Sequence, residues 1–397
     1  MSKRDGLARL GKIKTSHGNL DTPTLLPVVN PKILTLSMKE LKECGSQGII
    51  TNSYIIYKNP KLKEIAENKG VHGLLNWSGP IMTDSGTFQS HVYGEIDMQP
   101  EEILNFQKKI GVDIGTVLDV FCEPETRFED AKKELEETQK RIEESDKNKD
   151  SIFLAAPIQG GRHLDLRLKA AQMASKTNAD LFPIGGVVPL MEKNNFKMLA
   201  EVIIASKKGL DTSKPVHLFG CGHPMLFALA TFLGCDLFDS SSYAKFASRD
   251  SLMFTWGTRN LEELEIIPSE FSAAPGINID ELKAMEKKER QKIIAKHNLI
   301  ASFAEIRRVK QAIHDGLLWE LVENRLRTSP ALMKVFEVIK KEIDWIGKFE
   351  PAYRYKTPLK TGEESDFRPV FSNLSNSFKS GEMTHPYFGK VPIHLSE

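Results

Sequence analysis

The chain has 397 residues, of which 40% are hydrophobic and 27% charged, a composition that excludes wholesale disorder. Its 54 basic and 53 acidic residues give a net charge of +1 at pH 7, so any contact with nucleic acid must come from a local patch. No apolar run approaches the roughly 20 residues of a membrane span, and the first residues lack the apolar core of a signal peptide. Its four cysteines show no CxxC spacing, and we expect a cytoplasmic protein without a disulfide framework.

Short apolar runs typical of buried strands alternate with helical stretches over the first 250 residues. The predicted strands lie at residues 24–29, 48–51, 81–84, 114–120, 151–159, 181–186, 216–220 and 237–241. Continuous apolar strands separated by helices are typical of a parallel sheet that is covered on both faces. About eight such units in about 250 residues fit a (β/α)8 TIM barrel better than an open doubly wound sheet. The predicted fold class is therefore α/β.

The character of the sequence changes at about residue 257. Residues 257–348 predict a helical subdomain inserted in or appended to the barrel, because 280–348 form consecutive amphipathic patterns without a strand pattern. Residues 351–397 are rich in proline, serine and turn residues and predict a partly irregular tail. We therefore expect one domain over residues 1–350, followed by this tail.

The helical part carries a run of positive charge. Nine Lys or Arg residues stand against three acidic residues between Lys283 and Lys310. A solvated helix face is the commoner explanation of such a run, and a surface that contacts phosphates is the alternative.

Polar residues follow four of the predicted strands at their carboxyl ends, where the active site of a parallel barrel lies. They are Asp84 in MTDSGTFQ, Asp119 in VLDVF, Gln159 in APIQGG and Asp239 in LFDSSSY. Two glycines in PIGGVVPL, Gly185 and Gly186, follow another strand, where they would let the backbone approach a flat ligand. Two carboxylates at separate strand ends, with an amide and a glycine platform between them, suit glycosyl transfer.

Each of these residues also has a purely structural interpretation. An aspartate that ends a strand often caps the next helix, and Gln159 or Asp119 can bond loop backbone. Phe88 alone is more typical of a core residue than of a stacking platform. His217 and His223 in HLFGCGHP have no metal-ligand partner at familiar spacing, and His223 is best explained as a helix-entry residue. The convergence of the polar features on one rim favours the functional interpretation.

Several segments together resemble the tRNA-guanine transglycosylase family, and most of all its archaeal branch, the archaeosine tRNA-ribosyltransferases. They are MTDSGTFQ, LDVF, PIQGG, PIGGVVPL, HLFGCGHP, LFDSSSYA, AKHNL and EIRRVKQAI, and the likeness runs in order from about residue 8 to about residue 375. The segments DSGTFQ, PIGGVVPL and LFDSSSYA are the most specific.

The resemblance implies a TIM-barrel pentosyltransferase that exchanges guanine 15 in the D-loop of tRNA for the base preQ0, 7-cyano-7-deazaguanine, in archaeosine biosynthesis. By likeness, Asp239 would be the nucleophile in a covalent aspartyl-ribosyl intermediate and Asp84 the general acid and base. Some descriptions of the family give the nucleophile label to the first aspartate instead. The base pocket implied by the resemblance consists of Ser85, Phe88, Asp119, Gln159, Gly185 and Gly186.

The chain departs from the family at its structural zinc site. Family members bind zinc through a Cys-x-Cys-x2-Cys run and a later histidine. The cysteine positions fall here on Ser269, Phe271 and Ala274, and His297 is the one ligand that remains. A single histidine cannot hold zinc tetrahedrally, so we predict no zinc and no cofactor. Apolar packing must then hold segment 266–280, and the candidate residues are Ile266, Ile267, Phe271 and Ile277.

A second departure concerns tRNA binding. Many archaeal relatives continue into a tRNA-binding PUA domain, which we do not recognise here, so we expect a homodimer or a separately encoded PUA-type subunit. The expected tRNA contacts are the barrel rim and the basic residues Lys287, Lys288, Arg290, Arg307 and Arg308. Two alternatives stay open, a non-catalytic tRNA-binding subunit and a transglycosylase that acts on DNA. Retention of both Asp84 and Asp239 argues against decay, because a surplus buried carboxylate costs desolvation.

Overall fold

Strands and helices alternate through the computed structural model, which describes residues 3–87, 98–150, 152–271, 273–350, 359, 362–368, 370, 382–385 and 389–392. The strands are β1 (Arg4–Asp5), β2 (Ala8–Arg9), β3 (Gly11–Thr15), β4 (Gly18–Thr22), β5 (Thr24–Pro27), β6 (Ile49–Asn52), β7 (Ile81–Asp84), β8 (Ile114–Thr116), β9 (Phe153–Ala155), β10 (Phe182–Ile184), β11 (Val216–Leu218), β12 (Leu237–Ser240), β13 (Ser251–Phe254), β14 (Gly257–Asn260), β15 (Glu382–His385) and β16 (Gly389–Pro392).

Helices follow most of the parallel strands. They are α1 (Met38–Glu43), α2 (Ser53–Lys58), α3 (Pro60–Leu75), α4 (Pro100–Lys109), α5 (Phe128–Lys147), α6 (Leu164–Ala174), α7 (Val188–Glu192), α8 (Phe196–Gly209), α9 (Pro224–Phe232), α10 (Ser242–Ala247), α11 (Ile279–Ala284), α12 (Lys287–Asp315), α13 (Leu318–Leu326), α14 (Pro330–Met333), α15 (Val335–Lys341) and α16 (Ile343–Gly347). Two 3-10 turns lie at Leu261–Glu263 and Glu363–Phe367.

Strands β5 to β12 form two parallel sheets of four strands each. One sheet has the order β6-β7-β8-β9 and the other has the order β10-β11-β12-β5. Parallel bridges join the edge strands of the two sheets, Val28 to Ile50 on one side and Ala155 to Leu181 on the other. Each of the eight predicted runs corresponds to one of these strands. The prediction of an α/β architecture with parallel sheets is therefore confirmed.

The strand side chains alternate between two apolar clusters, because successive residues of a strand point to opposite faces. One cluster holds strand residues that face one another across the sheets, namely Leu26, Ile50, Met82, Ile114, Ala155, Leu181 and Leu237. The residues next to them in sequence face the surrounding helices, as Leu25, Ile49, Ile81, Leu154 and Phe238 do. Burial on both faces explains why the predicted strands are continuous apolar runs.

The predicted helices of residues 280–348 are confirmed. The long helix α12 begins after Glu286, whose side chain accepts hydrogen bonds from two backbone amides, and ends at Gly316, which has a φ of +70°. It packs against β5, β13, α9 and α10. The predicted boundary at residue 257 falls inside the antiparallel β13–β14 hairpin.

The predicted tail, residues 351–397, lies mostly outside the described residues, and the division at residue 350 stays a prediction. All four cysteines of the chain are buried free thiols. Within the ranges that the structure describes, no helix combines the length and the apolar surface needed to cross a membrane.

Candidate active site

The predicted site residues lie at or just beyond the carboxyl ends of parallel strands. Asp84 is the last residue of β7, and Asp239 is the third residue of β12. The loop after β8 carries Asp119, the loop after β9 carries Gln159, and Gly185 follows β10. Phe88 lies outside the described residues. Because the carboxyl ends of parallel strands share one edge, the fold brings the described polar side chains to the same end.

Asp84 is a carboxyl group in a poorly solvated position. Its Oδ1 accepts a hydrogen bond from the Gly86 amide at 3.1 Å, and its Oδ2 accepts one from Asn52 Nδ2 at 3.2 Å. Burial raises the pKa of Asp84 to about 6, and the negative charges of Asp119 and Asp239 add to the rise. Asp119 and Asp239 therefore lie near enough to Asp84 for their charges to affect its ionisation. A pKa this close to neutrality suits a group that must both give and take a proton.

Asp119 and Gln159 form a buried pair. Gln159 Nε2 donates a hydrogen bond to Asp119 Oδ2 at 2.6 Å, and burial raises the pKa of Asp119. Gln159 Oε1 is a buried acceptor without a hydrogen-bond partner among the described residues. Thr87 Oγ1 donates to the Asp119 carbonyl at 3.2 Å and lies 3.2 Å from the hydroxyl of buried Ser85. The pair therefore presents acceptor oxygens that match the N–H groups along one edge of a guanine-type base.

The two glycines after β10 are needed by the protein itself. A Cβ atom at Gly185 would lie 2.5 Å from Gln159 Nε2, so a side chain there would displace the amide. Gly186 has a φ of +67°, and a Cβ atom there would lie 2.4 Å from the Cys122 carbonyl oxygen. Only glycine tolerates both the close contacts and the left-handed backbone. These contacts give the glycines a second reason beside the predicted approach of a ligand.

Arg167 is a site-supporting residue that the sequence analysis missed. Its side chain is completely buried, and it donates hydrogen bonds to the carbonyl oxygens of Ile158 at 2.7 Å, Gly185 at 2.8 Å and Gly161 at 2.8 Å. Burial lowers its pKa to about 10. The guanidinium group thus ties the loop after β9 to the loop after β10. The signal for this role was an arginine within the buried stripe of helix α6, where it is followed by Ala170, Ala171 and Ala174.

Asp239 is held by two donors on one oxygen. Its Oδ1 accepts hydrogen bonds from His217 Nε2 at 2.9 Å and from the Gly220 amide at 2.8 Å. No role was predicted for His217 from the sequence. The available signal was an imidazole in a strand of which every residue is buried, where a polar ring needs a partner. The helix-entry prediction for His223 is confirmed, since its Nδ1 accepts the Met225 amide at the start of α9.

The residues at the zinc positions of the resembling family do not fit zinc. His297 Nε2 donates to the Met253 carbonyl at 3.1 Å, and burial lowers the pKa of His297 to about 4. The Phe271 ring lies 4.9 Å from the His297 ring, where the family pattern would place a thiolate. Zinc needs thiolate, imidazole or carboxylate ligands, and a phenyl ring supplies none. An aromatic contact therefore occupies this position.

The predicted packing of segment 266–280 is partly wrong. Phe271 is buried, and Ile267 and Ile277 pack against the main core. Ile266 is instead 80% exposed and contributes nothing to that core. Adjacent residues 266 and 267 face different environments, which a list of apolar residues cannot reveal.

A second cluster of potential ligands lies at the amino ends of β7 and β8. His17, His72 and Asp113 place their side-chain nitrogen and oxygen atoms within 4.8 Å of one another. Asp113 Oδ1 lies 3.0 Å from His17 Nδ1, and Oδ2 lies 3.1 Å from His72 Nε2 and accepts the Ile81 amide at 2.9 Å. Burial alone would raise the pKa of Asp113, but these hydrogen bonds hold it at about 2. The imidazoles, stacked 3.6 Å apart, thus already have a partner in the carboxylate.

Comparison with known proteins identifies the family to which this chain is similar. Residues 4–331 match the family described as queuine tRNA-ribosyltransferase. Proteins named tRNA-guanine(15) transglycosylase are similar over 92% of this chain, with 47% identity in Methanocaldococcus jannaschii and 46% in both Methanococcus vannielii and Methanosarcina acetivorans. The chain spans 57%, 58% and 74% of the length of these three relatives.

The raised pKa of Asp84 predicts how stability depends on pH. Folding raises this pKa from 3.8 to about 6, so the wild-type protein should lose stability relative to Asp84→Asn as pH rises from about 4 to about 6. The full difference corresponds to at most about 3 kcal/mol. The hydrogen bond from Asn52 favours the ionised form of Asp84, and the pKa of about 6 already includes its opposing effect. Urea unfolding at pH 4 and pH 8 measures the difference in stability between the wild type and Asp84→Asn. Asp165→Asn is the control, because Asp165 is exposed. A difference that does not change with pH would contradict the burial of this charge.

The Phe271 contact predicts which residue of the segment matters for stability. Phe271→Ala should lower the free energy of unfolding by about 3 kcal/mol, because it leaves a cavity beside His297. Ile266→Ala should change it by less than about 0.5 kcal/mol, because that side chain is exposed. Thermal unfolding with and without a chelator measures both effects, and the chelator should not shift the melting temperature. Stoichiometric zinc in the purified protein would contradict the conclusion that these residues do not fit zinc.

Proposed function

This chain belongs to the queuine tRNA-ribosyltransferase family, and on that premise we propose that it exchanges guanine 15 of tRNA for the 7-deazaguanine base preQ0. The observation that carries the proposal is the group formed by Asp84, Asp119 and Asp239 at the carboxyl ends of parallel strands, close enough for their charges to interact. The names of the similar archaeal proteins support the choice of position 15.

We further propose that the two sheets close into one (β/α)8 barrel. The parallel bridges between β5 and β6 and between β9 and β10 support closure. Backbone hydrogen bonds accompany them, from Val29 N to the Ile50 carbonyl at 2.8 Å and from Ala156 N to the Leu181 carbonyl at 2.9 Å. In a closed barrel, the site residues would surround one mouth.

The first half of the proposed reaction removes guanine. An Asp239 carboxylate oxygen forms a bond to ribose C1′ as the bond from C1′ to guanine N9 breaks. The electron pair of the broken bond goes to N9, which takes a proton from the Asp84 carboxyl group. The C1′ centre has oxocarbenium character during this step, and the carboxylate traps it as a covalent ester.

The second half inserts the new base. The Asp84 carboxylate takes the N9 proton of preQ0, and N9 attacks C1′ from the face that guanine left. The ester bond breaks, and its electron pair returns to Asp239. Because one carboxyl group serves as acid and then as base, a pKa of about 6 suits both steps.

The base pocket would read the guanine-type edge that both bases share. Asp119 and the unpartnered Oε1 of Gln159 can accept hydrogen bonds from the ring N–H and the exocyclic amino group. Ser85, Gly185 and Gly186 would complete the pocket together with Phe88 as the aromatic face. The target nucleotide must leave the tRNA fold to reach such a pocket.

The proposed tRNA surface is narrower than the charge run in the sequence. Arg290 forms two hydrogen bonds with Asp250, at 3.0 Å and 2.9 Å, and Arg308 pairs with buried Glu305 at 2.7 Å. We therefore assign phosphate contact to exposed Lys287 and Lys288 and not to Arg290. We propose that a second copy of the chain or a PUA-type subunit extends this small surface.

The exchange assay tests the proposed function directly. Wild-type protein should release labelled guanine from tRNA when preQ0 is added, and tRNA with adenine at position 15 is the control. Asp239→Asn should bind tRNA without exchange and without a covalent adduct on a denaturing gel, because the amide is a poor nucleophile. Asp84→Asn should be severely impaired through loss of proton transfer. Exchange by Asp239→Asn at the wild-type rate would overturn the mechanism.

The pocket assignment predicts a separate effect on the base. Asp119→Ala should raise the preQ0 concentration needed for half-maximal exchange by about 5- to 150-fold, because a buried hydrogen-bond partner contributes roughly 1–3 kcal/mol. Binding of tRNA, measured by filter retention, should not change. An unaltered preQ0 dependence would remove Asp119 from the pocket.

A further inference from the structure

We propose that His217 is a positioning residue for the nucleophile: it fixes Oδ1 of Asp239 through a hydrogen bond, so that Oδ2 is the oxygen that attacks the ribose. The inference rests on the proposed function and adds a residue and an atom-level assignment to it. The proposal is based on the 2.9 Å contact between His217 Nε2 and Asp239 Oδ1.

Strand register brings the two side chains together. Strands β11 and β12 are parallel neighbours, and His217 pairs with Leu237, two residues before Asp239. Residues two apart on a strand point to the same face, and Leu237 belongs to the apolar cluster between the sheets. His217 and Asp239 therefore project to that face together. The contact follows from the fold and does not depend on a loop conformation.

Among the described residues, the donors to the Asp239 carboxylate bond one of its two oxygens. Oδ1 accepts both the His217 bond and the bond from the Gly220 amide at 2.8 Å. Oδ2 accepts no hydrogen bond from a described residue. Two donors on Oδ1 fix the plane of the carboxylate and lower the basicity of that oxygen. Oδ2 is then the oxygen whose lone pairs are available to form a bond to C1′.

The surroundings of His217 define its protonation state. The ring is completely buried, and Nδ1 has no hydrogen-bond partner in the described part of the chain. A proton on Nδ1 would be a buried donor without an acceptor, which costs about 1–3 kcal/mol or more. We therefore place the ring proton on Nε2, where Asp239 accepts it. The Phe219 ring packs edge-on at 4.7 Å and restricts rotation of the imidazole.

The positioning acts in both halves of the reaction. As Oδ2 bonds to C1′ and the pair of the C1′–N9 bond moves to N9, His217 keeps its Nε2 proton and holds the carboxylate in line. When the ester breaks, the same bond stabilises the carboxylate that leaves. A misplaced reacting group can cost about 100-fold in rate, so loss of this donor should lower kcat and leave substrate binding alone.

Two substitutions at His217 separate hydrogen bonding from packing. His217→Phe keeps a buried ring without the donor, and His217→Gln supplies an amide N–H near the position of Nε2. We expect kcat for exchange to fall by about 10- to 100-fold in His217→Phe. The kcat of His217→Gln should be at least about fivefold higher than that of His217→Phe. The KM values for tRNA and preQ0 should stay within twofold of wild type. Single-turnover formation of the covalent adduct should slow in parallel with kcat.

His223→Gln is the matched control, because His223 is a partly buried histidine of the same segment that bonds Thr258 instead of a carboxylate. Its kcat should stay close to wild type. Wild-type kcat in His217→Phe, equal loss in both His217 variants, or a rise in KM without a fall in kcat would each overturn the proposal. A wild-type protein that forms adduct and exchanges base keeps the proposed function intact in all these cases. Absence of exchange in the wild type would instead refute that function.

Discussion

Placement of three carboxylates in poorly solvated positions at the carboxyl ends of parallel strands is the constraint on which the rest of the site depends. Asp84 and Asp119 lose hydration there, and the negative charges of Asp119 and Asp239 disfavour ionisation of Asp84. The protein meets this cost differently at each residue. Asp84 has a pKa close to neutrality, Asp119 receives an amide from Gln159, and Asp239 receives two donors on a single oxygen. The three side chains are chemically identical, so their different partners would have to fit them to the proposed roles in proton transfer, base recognition and nucleophilic attack.

These partners require rigid loops, and the residues behind the site supply that rigidity. Gly185 and Gly186 leave room for the Gln159 amide, and Arg167 binds the carbonyls of Ile158 and Gly185 on two different loops. A buried guanidinium is costly, and its lowered pKa reflects that cost. These contacts fix the loops and hold the acceptor oxygens of the proposed pocket in place without a bound base. Preorganisation of this kind reduces the free-energy cost of ordering the site when a ligand binds.

The sequence predicted the eight parallel strands and the polar residues at their ends, because both depend on short-range patterns. A buried strand is a local apolar run, and Asp84 or Asp239 stands at a fixed distance from it. His217 escaped prediction because its partner Asp239 lies 22 residues away. Arg167 escaped because its role depends on Gly185, which lies 18 residues away on another loop. The exposure of Ile266 beside half-buried Ile267 depended on which way the backbone turns there. A single sequence does not show which distant residues pair with its buried polar side chains.

The two ends of the strands treat aspartate in opposite ways. At the amino ends, Asp113 accepts the Ile81 amide and contacts two imidazoles, and its pKa is held at about 2. At the carboxyl ends, Asp84 receives two long hydrogen bonds and lies beside other negative charges, so its pKa rises to about 6. The first arrangement stabilises the ionised form and joins the β3–β4 turn to β7 and β8. The second destabilises the ionised form and leaves a proton available for transfer. The residue that stabilises the fold thus lies at the amino ends of the strands, and the residue with the proposed chemical role lies at their carboxyl ends. This division is typical of parallel α/β barrels.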